Sequence, residues 1–146
     1  MRVEKSIEIT APVEKIWPFL AEPEKILKWY IPLQKFEYTS AQHSGEGAPL
    51  YFEEKTSGQL MKLNCTVTEW VENERFAFKM TSGNMLKSYQ EKWKVETTPF
   101  GSRFTFTEEG KLPYGVIGSL IEPLVQRGSA NTVEKMLFRL KSLAEA

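Results

Sequence analysis

Two glutamates occupy strand positions whose neighbours are almost all apolar. Tyr89, Glu91, Trp93 and Val95 share one parity in the stretch 86–97, and Phe104, Phe106 and Glu108 share one in 102–110. Side chains two residues apart on a strand point to the same face, so both carboxylates belong with the rings. Pro99-Phe100-Gly101 is a turn signal between the two stretches, which makes them antiparallel neighbours. With that turn over about 98–101, Val95 lies opposite Phe104, Trp93 opposite Phe106, and Glu91 opposite Glu108. Facing carboxylates repel, and burying an ionised one without a partner is costly. Three arrangements relieve the conflict: strand ends wetted at a cavity mouth, a bulge that flips the parity, or a polar site in which one carboxyl has a raised pKa. In the last case Glu91 or Glu108 serves as acid, base or hydrogen-bond donor beside the Tyr89 hydroxyl. Glu69 has the parity of Met61, Leu63, Cys65 and Val67 and is a candidate for the same layer.

Other chemistry is sparse. The single histidine, His43, stands in a Gly/Ser-rich turn and reads as a surface residue, and metal binding would need several converging ligands. Cys65 lies among apolar residues with no histidine placed to activate it, which reads as an inert buried thiol. No phosphate loop, nucleophile elbow or dinucleotide fingerprint occurs; Gly45-x-Gly47 lacks a third glycine and a following helix. The expected set therefore contains no metal and no cofactor.

The elements that must position the carboxylates follow from periodicity. Residues 2–10 alternate, with Val3, Ile7 and Ile9 on one face. Pro12 opens a short helix with Val13, Ile16, Trp17 and Leu20 at i, i+3, i+4, i+7, which Pro18 weakens late. Pro23 opens another, with Ile26, Leu27 and Tyr30 on one side and Trp29 near its end. From 33 to 111 the pattern is strands, at roughly 33–41, 48–56, 60–71, 75–82, 86–97 and 102–110, separated by turn residues. The inward set includes Phe76, Phe78 and Met80. One strongly curved antiparallel sheet of seven strands, closed over by a final long helix, is the α+β solution to this order.

That last helix carries Val125, Val133, Met136, Leu137, Leu140 and Leu143 on one stripe, and the first half of the stripe is small and polar at Ser129 and Thr132. A helix covering a cavity can be small there, as can one that merely packs less tightly near its start. Val116, Ile117, Leu120, Ile121 and Leu124 form a second stripe about a third of a turn away. With Pro123 between them, the spacing predicts a short helix over about 115–122 followed by a separate long one.

Balanced charge, 19 basic against 19 acidic side chains, gives no electrostatic grip on nucleic acid. No apolar run approaches the ~20 residues of a membrane span. One cysteine rules out an internal disulfide, and the charged N-terminal strand is unlike a signal peptide, so a single cytoplasmic domain over 1–146 is expected.

The opening Ser6-Ile7-Glu8-Ile9-Thr10-Ala11-Pro12-Val13-Glu14-Lys15-Ile16-Trp17 resembles the strand and A-P-x-x-x-V-W helix that begin START-like (SRPBCC) helix-grip proteins, the polyketide cyclase/dehydrase-type branch in particular. Pro23-Glu24 with Trp29 resembles that branch's second helix, and Gly45-x-Gly47 the glycines between its second and third strands. The resemblance implies a helix-grip fold in which the sheet grips the C-terminal helix around an apolar cavity. It also implies that Leu112 and Tyr114, in the loop before that helix, stand at the cavity mouth as a gate. The superfamily spans lipid carriers, receptors, cyclases and chaperone-ATPase activators, so fold decides little about function. The sequence lacks a Cys/His pair for a Rieske cluster and a concentrated His/Arg/Tyr set of a dedicated cyclase, whereas Trp29-Tyr30 comes near the paired tryptophans of the chaperone-activator branch.

The expected function is binding of a small lipophilic molecule in an internal cavity lined by Leu63, Cys65, Phe78, Met80, Tyr89, Trp93, Phe106, Ser129 and Val133, with Glu91 and Glu108 as polar contacts. A polyketide cyclase or dehydratase using those carboxylates with Tyr89 is one alternative. A protein-binding module is another, and an exposed apolar patch around Trp29 and Tyr30 would favour it.

Overall fold

The computed structural model describes residues 1–146. Strand β1 (Arg2–Ile9) leads to helices α1 (Val13–Ala21) and α2 (Pro23–Trp29). Six strands follow: β2 (Leu33–Tyr38), β3 (Pro49–Thr56), β4 (Gln59–Val71), β5 (Arg75–Gly83), β6 (Ser88–Thr98) and β7 (Gly101–Lys111). Helix α3 (Gly115–Glu145) ends the chain. The seven strands form one antiparallel sheet in the order β1-β7-β6-β5-β4-β3-β2, so every strand from β2 to β7 pairs with its sequence neighbour and β1 closes onto β7. Short turns make this order the natural one. The sheet curls around α3 in a START-like helix-grip arrangement.

The apolar face of α1 is the expected one: Val13, Ile16, Trp17 and Leu20 are all buried. The inward strand positions are mostly buried as their parity requires; Ile7 and Met80 are half-buried, Met80 just past the last β5 residue paired with β6. Rings fill the centre. Trp93 is fully enclosed, 5.2 Å from Trp29, 5.3 Å from Phe76 and 5.6 Å from Phe78 between ring centroids. Such tilted and edge-on contacts are favoured by the ring quadrupoles, beyond the area they bury.

Two expectations are corrected. Helix α3 is continuous from Gly115 to Glu145, with Pro123 inside it, not a short helix and a long one. Proline forfeits one amide bond to the carbonyl four residues back, here that of Ser119, which is solvent-exposed and can be hydrated. The consequence is that the helix faces one way, and its early stripe is left out: Val116, Ile117, Leu120, Ile121 and Leu124 are all exposed. Glu69 is also not in the inner layer. The β4–β5 register shifts between Val67 and Glu69. That bulge turns Glu69 outward, where it pairs with Arg75 at 3.6 Å and Lys92 at 3.1 Å. Trp70 turns inward in its place, against Trp17 and Phe76.

Candidate functional site: a carboxyl–phenol network beneath a helix-covered cleft

The tight turn at Pro99-Phe100 fixes the β6–β7 register without a bulge, and Glu91 pairs with Glu108, Trp93 with Phe106 and Val95 with Phe104. Both carboxylates are buried, at 2% and 7% exposure. No parity flip relieves them; hydrogen-bond partners do, with Glu108 also bordering a cleft. The Tyr89 hydroxyl lies between them, 2.7 Å from Glu91 Oε2 and 2.6 Å from Glu108 Oε2. Trp93 Nε1 donates to Glu91 Oε1 at 2.9 Å.

Two further members lie outside the set of ligand contacts expected from sequence. Tyr30, the residue that ends α2, places its hydroxyl 2.9 Å from Glu91 Oε2 and 3.4 Å from Glu54 Oε2. Glu54 lies on β3, three strands away from β6 in the sheet, and the curl of the sheet brings it in. Glu54 follows the parity of the buried Leu50 and Phe52, a signal that the alternation of β3 could have supplied. Tyr30 carried a weaker one, as a phenol on the apolar side of a short helix.

The network thus reads Glu54, Tyr30, Glu91, Tyr89, Glu108. No lysine or arginine is ion-paired to any of its three carboxyls, so burial is not offset by a cation. Burial pushes the Glu91 carboxyl well up, with the charges of Glu108 and Glu54 adding to it and the bonds from Tyr89 and Trp93 opposing. Burial raises Glu108 against the Tyr89 bond, and raises Glu54 to about 8, with the Glu108 charge adding. Burial, then the surrounding carboxylates, also hold both phenols protonated. Cys65 is pushed up by burial and then by Glu91, which leaves it a thiol.

Glu54, Tyr30 and Glu108 face a cleft of about 400 Å³ between the sheet and α3. Leu124, Val125, Val133 and Met136 supply its apolar side, and Gly128, Ser129 and Thr132 the small and polar part of the helix stripe. Of the residues singled out from sequence, Glu108, Ser129 and Val133 reach this cleft, and Tyr89 and Glu91 lie directly behind it. Leu63, Cys65, Phe78, Trp93 and Phe106 are packed in the core, and Met80 packs at its edge; none of these six lines the cleft. Leu112 and Tyr114 do not line it either, and Tyr114 is exposed in a left-handed conformation that caps α3. Trp29 and Tyr30 are buried at 0% and 3% exposure, so the patch that a chaperone-activator reading would draw on is not on the surface. His43 is exposed, its ring stacked on Tyr38. No helix is long and apolar enough to cross a membrane.

Comparison with known proteins agrees with this architecture. A family model described as polyketide cyclase / dehydrase and lipid transport matches residues 1–145. Protein TTHA0849 from Thermus thermophilus superposes with a TM-score of 0.82 at 20% identity, covering 99% of this chain and 97% of its own. A START superfamily protein from Mycobacterium smegmatis gives 0.79 at 16% identity, with 99% and 97% covered. The Zhui aromatase/cyclase from a Streptomyces species gives 0.76 at 14% identity, with 99% and 93% covered. At these identities the likeness is one of fold. No curated protein matches the chain in sequence.

Proposed function

The chain belongs to the polyketide cyclase/dehydrase and lipid transport family, and from that membership and the cleft we propose that it binds a small lipophilic molecule between the sheet and the middle of α3. The observation that carries this reading is the cleft itself: about 400 Å³, with an apolar wall on α3 and the ends of a buried polar network at its base. That volume lies in the range of small-molecule sites, and one apolar wall with a few fixed polar groups is their usual composition. The aromatic core takes up the deeper space, so the ligand would be of modest size, its apolar body against Leu124, Val133 and Met136 and its polar end toward Glu54 and Glu108. Native mass spectrometry of gently purified protein, with denaturing release of anything bound, tests the reading. A discrete adduct lost on Ser129→Phe, which fills the cleft from the helix side, supports it. An adduct retained unchanged in a folded Ser129→Phe protein places binding elsewhere and refutes it.

A second reading is favoured by the raised pKa values at the cleft: an acid–base enzyme in which Glu108 exchanges protons with a bound substrate through the Tyr89–Glu91 pair. Glu91→Gln would then abolish turnover of the released molecule or its analogues while the fold persists. Unchanged turnover in that variant removes Glu91 from any mechanism.

A further inference from the structure

The hydrogen atoms of the network can be counted, and the count fixes the polarity that it shows to the cleft. Four oxygen–oxygen contacts join its members: Glu54 to Tyr30, Tyr30 to Glu91, Glu91 to Tyr89, and Tyr89 to Glu108. Each contact needs one hydrogen, and each phenol supplies one. Filling all four therefore takes two further protons, which must come from the three carboxyls. Four filled contacts require two protonated carboxyls and no third; with the remaining carboxyl ionised the network holds one carboxylate, whichever of the three carries the charge. The Trp93 N–H donates to Glu91 Oε1 in every case.

In each of those arrangements both carboxyl protons are spent inside the network. The outward oxygens, Oε1 of Glu54 and Oε1 of Glu108, then carry no hydrogen. Neither has a hydrogen-bond partner, although every fully enclosed polar side-chain atom in the molecule has one. These two oxygens are therefore at the cleft surface, and Glu108 reaches it from a side chain that is otherwise more than nine-tenths buried. They present acceptors only, with a negative charge shared behind them. The charged groups around them are few. Strand β3 brings Glu54 and the exposed Lys55, which is ion-paired to neither carboxyl; β7 brings Glu108; β6 brings Glu91 with Tyr89; α2 brings Tyr30. The lining residues of α3 bring no charge.

We propose that the cleft selects a ligand whose polar head donates hydrogen bonds, a lipophilic amine in its protonated form above all, with Glu54 Oε1 and Glu108 Oε1 as the receiving atoms and the ammonium as the missing counter-charge of the network. This rests on the cleft being a ligand site and adds the chemistry of what it holds. A carboxylate head is repelled there, and a carbonyl head meets acceptors with nothing to donate. An ammonium both fills the open acceptors and neutralises the buried charge, which in a poorly hydrated site counts for more than it would in water.

Isothermal titration calorimetry of the full chain at pH 7 with octylamine, octanol and octanoate compares a cation, a neutral head and an anion on one alkyl body. Amide chemical shifts at Ser129 and Val133 report occupancy of the cleft in the same samples. Octylamine is expected to bind at least about tenfold more tightly than octanol, with octanoate the weakest. An E54Q/E108Q double variant, whose amides add donors at the cleft, is expected to bring the amine-to-alcohol ratio close to one while octanol still binds. Octanol or octanoate binding as tightly as octylamine overturns the inference and leaves the cleft reading standing, as does an amine preference that survives in the double variant. No shift at Ser129 or Val133 with any of the three probes overturns both. If the double variant does not fold, the probe comparison on the parent chain decides alone.

Discussion

Glu54 offers the sharpest test of the electrostatics, because its effect on stability has an unusual sign. Burial raises its carboxyl from 4.5 to about 8, so the folded protein holds a proton that the unfolded chain has already released. Below about pH 4.5 both states are protonated and the group contributes no difference. As pH rises from there to about 8 the folded state binds one proton more, and stability falls by about 1.4 kcal/mol per pH unit for a full proton. Between pH 5.5 and 7.5 that amounts to about 3 kcal/mol at most, and solvent reaching the cleft-facing side of Glu54 reduces it to roughly 1–2 kcal/mol. The perturbation is Glu54→Gln, which keeps the shape and removes the titration. The assay is urea unfolding at half-unit steps from pH 5 to 8.5, with equal slopes against denaturant confirming that the two proteins unfold alike. The stability of the parent minus that of the variant should fall steadily across this window and level off above about pH 8. A difference that stays constant, or rises with pH, refutes the argument that Glu54 is held protonated by its surroundings.

The remaining predictions address the network, the core and the sheet. Tyr89→Phe removes the hydroxyl between Glu91 and Glu108 and leaves Glu108 Oε2 unpartnered; a loss of about 2–4 kcal/mol is expected by chemical denaturation, against about 1 kcal/mol for Tyr38→Phe, whose hydroxyl makes one bond to the Ala21 carbonyl. Glu69→Gln should change stability by less than about 1 kcal/mol, since its pairs with Arg75 and Lys92 are half-exposed; a loss as large as that of Tyr89→Phe would contradict the outward placement of Glu69. Phe106→Ala should cost about 3–5 kcal/mol, measured the same way, because the ring is fully enclosed and stacked beside Trp93. Gly101→Ala should be destabilising by about 1–3 kcal/mol, since Gly101 has φ +145 and a β-carbon there would meet the Ile9 carbonyl oxygen of β1.

Local rules carried most of the fold. Alternation, helical spacing and turn residues are properties of neighbours in sequence, so the strands, the face of α1 and the pairing of Glu91 with Glu108 could be counted from the turn at Pro99-Phe100. The same rules fail where one residue changes the count. The β4 bulge after Val67 shifts every later side chain to the other face, and no residue type there announces it, so Glu69 and Trp70 exchanged sides. Pro123 predicts a break because sequence shows the lost amide bond and not the solvent that can hydrate the freed carbonyl; the helix continues through it.

What sequence by itself determined was that two carboxyls must face each other among rings and that something must relieve them. What relieves them was decided only in three dimensions. Tyr30 ends a helix, Glu54 stands on β3, and both are remote in sequence from Glu91, yet the curl of the sheet and the seat of α2 set them at hydrogen-bonding distance. The space left open was decided there too. Whether Phe78, Trp93 and Phe106 surround a large cavity or fill it depends on how rings from α2 and several strands interlock, which no one-dimensional pattern encodes; they fill it, and the cleft remains only where α3 carries small residues.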